Sequence, residues 1–581
     1  MSSARDIGLG CMRLSTDLDR DEARSISTLH AALDAGVTLL DTAAAYGLGE
    51  HDMHHNEALI ARALASWPQP TARRPRVVTK IGLARRGASW IPEGSARAIT
   101  RAAEESVRAL GAAPDALLLH VPDPKVPLAT SIRALAELER AGMARSVGVS
   151  NVSLTQLDEA RSVHPGLAWA ELALGAFDDE AARGGVLSAC LASDAITVLA
   201  HTPLGGPKKL ARLGRDPTLA PHAERLGVTV PTLVLAWLYA LSPRLVPIPG
   251  ARRPETAVLA ARAARVVLDD EAQGALDRRF APISRAARGT GAPATLRDDA
   301  EIVLVMGLPA AGKTSAVREW TERGYERLNR DERGGTLSGL AKVLDERLAA
   351  GVTRFVADNT YVSRASRADV LEIARAHGVP VCCVWLDTPL EQAQINAVAR
   401  LLAKHGRLLE RDELKREAKR DPNTFAPNAQ FGMRRTMEPP RLDEGFTQLE
   451  RRTFTRAREP GHERSGVVIL DQAIERVLAD PALRERAERA DALLVFAWST
   501  APETLATRAA ALAEALHRAL DTALCPHPAG PPICWCRPPL PGLLVPWLAR
   551  ERIDPARSLL VGTGPAHRAL AAALGLAYAE S

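Results

Sequence analysis

Short apolar runs alternate with helix-like segments through the first 280 or so residues of the chain. The helix-like segments, such as 95–110 and 129–141, carry apolar residues at helical spacing, so the pattern indicates parallel β/α units. Eight such units fit a closed (β/α)8 barrel, the TIM barrel, which typically needs ~250 residues. We predict this barrel for residues 1–282, with strands at 7–12, 37–40, 77–79, 116–119, 146–149, 168–172, 196–199 and 245–248.

The alternation resumes after a stretch that has no period. Residues 283–299 are rich in Ala, Gly, Pro, Arg and Thr and predict a linker. From 300 to 458, aliphatic strands alternate with helices again and predict a doubly wound α/β domain. Residues 462–581 contain further strands and helices, which predict a smaller α/β domain.

Composition is that of an ordinary globular protein. Hydrophobic residues make up 46% and charged residues 25%, and the formal net charge of +5 neither requires nor excludes a polyanionic partner. The N-terminus lacks the apolar core of a secretory signal, and the longest apolar run, 228–241, is too short to span a bilayer. We therefore expect a cytoplasmic protein with no membrane partner.

Polar residues follow three successive predicted barrel strands. Asp41 ends the second strand with Tyr46 five residues on, Lys80 ends the third, and His120 ends the fourth. These strand ends meet at the carboxyl rim of a barrel, where such folds keep their chemistry. A tyrosine beside an ammonium and a carboxylate can have its pKa lowered, so we predict Tyr46 as a general acid tuned by Lys80. Asp41 would hold Lys80, and His120 would donate a hydrogen bond to a substrate oxygen.

This set of four residues resembles the site of the aldo-keto reductase family, and the resemblance covers the whole first third of the chain. It implies NADP(H)-dependent reduction of a small-molecule carbonyl compound. By the same resemblance, Ser150 and Asn151 would bind the nicotinamide carboxamide, and Gly250 would lie close to the cofactor. Arg252 and Arg253 would bind the 2′-phosphate of NADPH, because arginine pairs bind such groups in bidentate fashion.

Two positions depart from the family pattern. Glu171 stands where the family usually has a glutamine beside the carboxamide, and His201 stands where it usually stacks a tyrosine on the nicotinamide. A carboxylate is a different hydrogen-bond partner and an imidazole is a smaller stacking surface, so cofactor affinity is expected to be reduced. The barrel is therefore predicted to be a reductase or, alternatively, a module that binds or senses the cofactor.

A glycine-rich loop with the pattern G-x-x-x-x-G-K-T follows a buried strand in the middle domain and precedes a helical run. Strand, loop and helix in this order form a P-loop, whose backbone N–H groups face phosphate oxygens. The lysine adds a positive charge, and the threonine hydroxyl can hold Mg²⁺. We therefore predict an ATP–Mg²⁺ site made of Gly307, Gly312, Lys313, Thr314 (also the Mg²⁺ ligand) and Ser315.

Two further residues favour a kinase over a motor ATPase. Asp331 could accept a hydroxyl proton, and Arg400 could close over the β- and γ-phosphates. The segments NRDE and DNT resemble the kinase domain of polynucleotide 5′-hydroxyl kinases, which implies Asp331 as the general base, a nucleic-acid 5′ end as acceptor, and Arg364 or Arg367 as substrate-side charges. A small-molecule acceptor stays open, because the domain shows no alternation of basic and aromatic residues typical of a single-strand groove.

Four metal-ligand residues cluster near the C-terminus. Cys525, His527, Cys534 and Cys536 form a complete tetrahedral set for Zn²⁺ with no open position, so we predict a structural site. Their loop resembles the zinc loop of haloacid dehalogenase (HAD)-type phosphatases of the histidinol- and heptose-phosphatase kind. Asp471 would stand at the nucleophile position, but the second aspartate two residues on is missing. The last domain is therefore expected to be HAD-like and catalytically inactive.

Overall fold

The computed structural model describes residues 6–68, 74–289, 295–499, 501–528 and 534–581. The chain divides into two compact units, Met1–Ala292 and Pro293–Ser581. The boundary lies in the segment predicted as a linker, but the first part of that segment is a helix, Ala281–Arg288. Ile283 anchors this helix because its side chain packs into the barrel core. The linker prediction is thus wrong for these first residues.

The first unit is built on eight parallel strands that follow one another in chain order. The sheet closes into a barrel where the Gly10 N–H donates to Pro249 O at 3.1 Å. A side chain on Gly8 would not fit there, since its Cβ would lie 2.6 Å from Pro247 O. The predicted fold class is confirmed, with strands Gly8–Gly10, Leu39–Asp41, Arg76–Ile81, Ala116–Leu119, Val147–Ser150, Trp169–Ala173, Thr197–His201 and Leu245–Pro247.

Helices surround this barrel and bury their apolar faces against it. The helix Ala96–Leu110, for example, begins at the Ser95 cap and ends at Gly111, which takes the left-handed conformation. A two-stranded antiparallel hairpin, Leu83–Arg86 with Ser89–Pro92, rises from the rim after the third strand. The helices are Arg13–Thr16, Glu22–Asp34, His55–Ser66, Ala96–Leu110, Leu128–Arg140, Leu154–Val163, Glu180–Arg183, Val186–Leu191, Pro207–Leu213, Ala220–Arg225, Val230–Leu241, Pro254–Ala263, Asp270–Arg279 and Ala281–Arg288.

The second unit contains two five-stranded parallel sheets. The first has the spatial order Glu326–Leu328, Arg354–Asp358, Glu301–Met306, Val381–Asp387, Gln448–Thr453. The last of these strands was not predicted, because it lies at the sheet edge and is largely polar and half exposed. Helices accompany this sheet at Lys313–Ala316, Arg318–Thr321, Arg330–Arg333, Leu337–Ala349, Arg364–His377, Leu390–His405, Arg411–Glu417 and Pro427–Thr436.

The second sheet of this unit has the spatial order Asp521–Cys525, Ala492–Trp498, Gly466–Leu470, Leu559–Gly562, Ala577–Glu580. The outermost strands on both sides were not predicted, again because their faces are only partly apolar. The helices are Ile474–Ala479, Pro481–Arg489, Pro502–Leu516, Leu544–Arg550 and Gly564–Leu574. In the part of the chain that the structure describes, no helix is both long and apolar enough to cross a membrane.

Candidate active sites and metal centre

A buried ion cluster lies at the carboxyl rim of the barrel. Lys80 Nζ donates to Asp41 Oδ1 at 2.5 Å and to Glu171 Oε2 at 2.9 Å. The three residues are only 1%, 3% and 2% exposed. An ammonium this deeply buried is stable only when it is paired, and here two carboxylates from non-adjacent strands pair with it. Glu171, predicted to contact the cofactor, therefore also acts as a counter-ion of Lys80.

Tyr46 and His120 lie beside this cluster, as predicted from their strand ends. The ring centroids of the two residues are 5.8 Å apart and meet edge to face. Lys80 Nζ lies 5.3 Å from the centroid of the Tyr46 ring. Asp41, Tyr46 and His120 line one cavity of about 680 Å³, and Lys80 lies at its base, bonded to Asp41. The four side chains therefore converge on a shared space.

The electrostatics of Tyr46 differ from the prediction. Burial raises the pKa of Tyr46 above its usual range; Asp41 and Glu171 raise it further, and Lys80 opposes them. The prediction that the pKa of Tyr46 is lowered was wrong. It considered the nearby ammonium and one carboxylate but neither the burial of the phenol nor the second carboxylate, Glu171. Burial and the Glu171 charge also raise the pKa of Asp41 to about 8, against the effect of Lys80. For Lys80, burial would lower the pKa, but Asp41 and Glu171 outweigh it and raise the pKa well above its usual value.

Both rim histidines are neutral in this environment. Burial lowers the pKa of His120 well below its usual value, and the nearby Lys80 lowers it further. Burial likewise lowers the pKa of His201 to about 4. Among the described residues, His120 Nδ1 is buried without a hydrogen-bond partner. A buried unpaired nitrogen is costly, whereas the ring as a whole lines the cavity.

The residues predicted to hold the nicotinamide lie next to one another. Asn151 takes the left-handed conformation at φ 55°, and its Nδ2 donates to His120 O at 3.2 Å and to Ser150 Oγ at 3.0 Å. Its Oδ1 lies 3.0 Å from His201 Nε2, and His201 Nδ1 lies 3.1 Å from Thr202 Oγ1. This chain of hydrogen bonds fixes the orientation of the imidazole that borders the cavity.

The predicted 2′-phosphate arginines have different surroundings. Arg252 Nε lies 3.0 Å from Asp17 Oδ2, and its Nη2 lies 2.5 Å from Asp19 Oδ1. Arg253 is exposed at the edge of the cavity, and Gly250 lines the same edge. The two aspartates follow the first strand and were missed in the sequence, because the segment 13–24 contains several charges of both signs and nothing singles these two out.

The hairpin after the third strand adds a wall that the sequence did not reveal. Trp90 lines the cavity, and its ring centroid lies 6.3 Å from that of Tyr46. The Arg85 guanidinium lies 4.0 Å from the centroid of the Trp90 ring. A lone tryptophan between Ser89 and Ile91 carries no pattern, so only the fold places it at the site.

The P-loop of the second unit is held from outside by three side chains. Thr388 Oγ1 donates to Ala311 O at 3.0 Å, Asn396 Nδ2 to Ala310 O at 3.0 Å, and Gln430 Nε2 to Pro309 O at 2.8 Å. These bonds engage three consecutive carbonyls of the loop. Such anchoring leaves the loop N–H groups available to a bound anion.

A P-loop requires its glycines and its lysine at defined positions. Gly312 has φ 98°, a conformation that residues with a side chain rarely adopt, and it precedes the helix Lys313–Ala316. Lys313 Nζ donates to Gly307 O at 3.0 Å and to Leu308 O at 2.9 Å. Thr314 and Ser315 are exposed at the start of the helix. The lysine is therefore folded back on its own loop.

Asp331 faces the same cavity as the P-loop. The cavity measures about 940 Å³ and is lined by Lys313, Thr314, Asp331 and Arg400. Burial lowers the pKa of Lys313 to about 8, while Asp358 and Asp331 oppose the shift. Asn329 Oδ1 accepts from the Asp331 N–H at 2.8 Å and caps the short helix that carries Asp331.

Arg400 and the predicted substrate-side arginines have opposite environments. Arg400 lines the cavity and donates to Asn423 O at 2.6 Å. Arg367 is 0% exposed and forms two hydrogen bonds of 2.8 Å to Glu444. Arg364 is paired with Asp443 at 3.1 Å. Arg367 is thus a structural residue, and the prediction of a substrate-side role for it was wrong.

The four predicted metal ligands come together. The ligand atoms of Cys525, His527, Cys534 and Cys536 all lie within 4.8 Å of one another. Cys536 Sγ is 3.3 Å from Cys525 Sγ and 3.2 Å from His527 Nδ1. Three sulfurs and one imidazole nitrogen at these distances fit a tetrahedral Zn²⁺. The Glu410 carboxylate lies 3.3 Å from His527 Nε2 and orients the ring, as outer-shell carboxylates commonly do.

Comparisons with known proteins find matches to two parts of the chain. The aldo/keto reductase family profile matches residues 6–279, and a profile described as an AAA domain matches residues 302–421. Pyridoxine 4-dehydrogenase of Escherichia coli (strain K12) is 34% identical over 263 residues, which cover 43% of this chain and 85% of that protein. Aldo-keto reductase YhdN of Bacillus subtilis (strain 168) is 34% identical over 167 residues, covering 28% of this chain and 48% of that protein.

Solved structures of the same family also match the barrel. The aldo-keto reductase from Klebsiella pneumoniae in complex with NADPH is 25% identical, covers 47% of this chain and 90% of that chain, and has a TM-score of 0.40. The sequence relationship to the Escherichia coli enzyme spans most of that protein. Through residues 6–279, the chain belongs to the aldo/keto reductase family.

Proposed function

We propose that the barrel reduces a small carbonyl compound with NADPH. The observation that carries this proposal is the convergence of Asp41, Tyr46, Lys80 and His120 on one cavity. The bound cofactor would supply the hydride. Side chains of this chain would donate the proton and bind the carbonyl oxygen.

Tyr46 would give its proton to the carbonyl oxygen as negative charge develops there. A raised pKa keeps this phenol protonated until an oxygen of higher basicity is present. Lys80 would stabilise the tyrosinate that remains, because Asp41 and Glu171 keep it charged. His120, which lines the same cavity, would hold that oxygen in place.

Residues suited to a nicotinamide and residues suited to a phosphate line the same cavity. Asn151, Glu171 and His201 line it, and hydrogen bonds join Asn151 to Ser150 and to His201. Gly250, Arg252 and Arg253 line it as well. NADPH is proposed over NADH because of the two arginines, although Arg252 must exchange Asp17 and Asp19 for the phosphate.

A cofactor-sensing module is the second candidate, and the Lys80–Glu171 pair favours it. A second carboxylate at Lys80 raises the pKa of Tyr46 and opposes proton release. NADPH oxidation with a panel of aldehydes separates the two candidates. Turnover that is lost in Tyr46→Phe supports the reductase, whereas NADPH binding without turnover of any aldehyde supports the sensor.

We propose further that the P-loop domain transfers phosphate from ATP to a hydroxyl group, which would make the chain a multifunctional enzyme. Asp331 would act as the general base, Lys313 and Arg400 would hold the phosphates, and Thr314 would hold Mg²⁺. Support comes from the single cavity that these residues line and from the influence of the Asp331 charge on Lys313. In P-loop kinases such charges stabilise the phosphoryl group during transfer.

The proposed acceptor is the 5′-hydroxyl end of a polynucleotide, with a small-molecule alcohol as the alternative. Phe425 and Phe454 line the cavity together with Arg452, and aromatic rings next to arginines can stack a base. Transfer of labelled phosphate to a 5′-hydroxyl oligonucleotide tests this, with Lys313→Ala and Asp331→Ala as inactive controls. Labelling of small alcohols alone would assign the domain to small-molecule kinases.

We also propose a structural Zn²⁺ at Cys525, His527, Cys534 and Cys536, in a HAD-like domain without phosphatase activity. The ligand set is complete, so it leaves no position for a reacting water. Asp471 is followed by Gln472 and Ala473 and has no second carboxylate beside it in the sequence. Metal analysis of the full chain is expected to give one zinc per molecule, and its absence would refute the site.

A further inference from the structure

The metal-ligand cluster and the phosphate cavity are joined by a short row of packed side chains. Trp535 lies between Cys534 and Cys536 in sequence and is only 2% exposed. Its Nε1 donates to Phe425 O at 3.3 Å, and the two rings meet edge to face with centroids 6.1 Å apart. A movement of Trp535 would therefore displace Phe425.

Phe425 lies on Arg400, which is proposed to hold the phosphates. The Arg400 guanidinium is 5.6 Å from the centroid of the Phe425 ring. Arg400 also donates to Asn423 O at 2.6 Å and to Asn423 Oδ1 at 3.3 Å. The segment 421–425 thus fixes the arginine on one side while it lines the cavity on the other. We call Trp535, Phe425 and Arg400 the linking row.

The segment itself is firmly held. Thr424 is buried, and its Oγ1 donates to Asp421 Oδ2 at 2.9 Å. The same Asp421 oxygen lies 2.9 Å from Lys404 Nζ, one turn beyond Arg400 on the same helix. These bonds tie the segment to the arginine-bearing helix, and Phe425 contacts Arg400 directly, so a displacement of Phe425 is expected to shift Arg400.

Two more contacts connect the metal loop to this helix. Trp535 and Leu540 share an apolar cluster with Val398 and Leu401, which flank Arg400. Glu410, which follows the helix, lies 3.3 Å from His527 Nε2. One metal ligand is therefore oriented by a residue of the kinase-like half, and one residue between two ligands packs on its phosphate-binding helix.

We propose that the zinc centre is a positioning device for the phosphate site. Zinc fixes the loop that carries Trp535, Trp535 fixes Phe425, and Phe425 fixes Arg400 in the orientation that receives phosphate. Metal binding supplies folding free energy to a loop that is rich in Pro and Gly, so the loop is expected to loosen without it. Occupancy of the metal site and affinity for nucleotide are then coupled, and by linkage each ligand strengthens the other. The inference rests on the proposed binding of ATP in this cavity.

The test measures the dissociation constant of ATP by calorimetry on the full chain, before and after zinc is removed with a zinc-selective chelator. We expect removal to weaken ATP binding about threefold to tenfold, the loss that follows when one cation–π contact and its alignment are lost. Re-addition of zinc should restore the affinity. In the reciprocal measurement, saturating ATP should raise the equilibrium affinity for zinc, determined by competition with the chelator, by the same factor.

Three variants separate positioning from simple loss of fold. Phe425→Leu should keep one zinc per chain but weaken ATP binding by a similar factor, about threefold to tenfold. Phe431→Leu is the matched control: it removes a ring from the same apolar cluster and leaves the Phe425–Arg400 contact in place, so its affinity should stay unchanged. Trp535→Phe does not alter the lining of the cavity but removes the indole N–H bond to Phe425 O, so weaker ATP binding in this variant separates positioning from a direct contact of Phe425 with the nucleotide.

The outcomes are distinct. If the zinc-loaded protein binds ATP and the affinity does not change when zinc leaves, the coupling is refuted while the kinase proposal survives. If the zinc-loaded Phe425→Leu protein binds ATP as tightly as the wild type, the linking row is refuted. If the zinc-loaded wild type binds no ATP at all, the proposed nucleotide site fails and the inference falls with it.

Discussion

The barrel rim and the P-loop hold a lysine in opposite ways. At the rim, Lys80 is almost fully buried between Asp41 and Glu171. At the P-loop, Lys313 is half-buried and bonded to the carbonyls of its own loop. The first lysine is preorganised, whereas the second would have to leave two carbonyl groups before it could reach the proposed phosphate. The first site is held by side chains of the protein itself, and the second would change on binding the proposed nucleotide.

Electrostatics follow the same division. Two carboxylates outweigh burial at Lys80 and raise its pKa, so this charge persists at every physiological pH. Burial prevails at Lys313 and lowers its pKa to about 8, so this charge depends on conditions. The comparison predicts that the proposed reduction is most sensitive to loss of the proton donor Tyr46. It also predicts that the proposed binding of ATP is most sensitive to loss of the charge on Lys313.

Removal of the Tyr46 hydroxyl should give the largest effect. Tyr46→Phe leaves the ring in place but removes the proton donor, so the rate of aldehyde reduction should fall about 100-fold to 10,000-fold. NADPH affinity, measured by fluorescence titration, should change little. Retention of wild-type turnover would contradict the assignment of Tyr46 and the whole rim site with it.

Removal of the Lys313 charge should rank next. Lys313→Ala should lower the rate of phosphate transfer from ATP about 100-fold to 1,000-fold, since a preorganised positive group at a transferring phosphoryl is lost. Lys313→Arg, which keeps the charge, is the matched control and should lose less. Equal activity in the wild type and the alanine variant would show that the cavity does not hold the phosphates.

The affinity for ATP should fall as pH rises through about 8. Lys313 is charged below its lowered pKa of about 8 and neutral above it, and only the charged form attracts phosphate. We expect the dissociation constant to rise about threefold to tenfold between pH 7 and pH 9. Lys313→Arg should remove this pH dependence, because arginine stays charged over the whole range. A flat profile in the wild type would contradict the role of this titration.

Neutralising Glu171 should change the rate of reduction less than the substitutions above, and should shift its pH dependence in a defined direction. Its charge raises the pKa of Tyr46 and of Asp41, so Glu171→Gln should lower both. The alkaline limb of the reduction rate should then move to lower pH, and the rate at neutral pH should change less than about tenfold. A pH profile identical to the wild type would show that this carboxylate is not coupled to the proton donor.

The sequence predicted the fold well because the signal is periodic. Strands buried on both sides read as apolar runs, and residues at their carboxyl ends share one rim, so Asp41, Lys80 and His120 could be placed together. The pair between Lys80 and Glu171 joins the third and the sixth strand across the barrel interior. The two residues come close only when the barrel closes, so no local sequence pattern predicts their pairing.

Other misses have similar causes. The edge strand Gln448–Thr453 was overlooked because five of its six residues are polar and none of the six is buried. The sequence predicts Arg364 or Arg367 as a substrate-side charge, yet Arg367 is buried in an ion pair with Glu444, which is far away in sequence. Charge identity is visible in a sequence, but the partner that neutralises the charge is a property of the fold.

The central claim is that two independent chemistries share one chain. The most direct measurement determines both rates, NADPH-dependent aldehyde reduction and phosphate transfer from ATP, in the wild type, Tyr46→Phe and Lys313→Ala. The account predicts a crossed result, in which the first variant loses only reduction and the second loses only transfer. A variant that keeps the activity it should lose, or a wild type that shows neither activity, would contradict it.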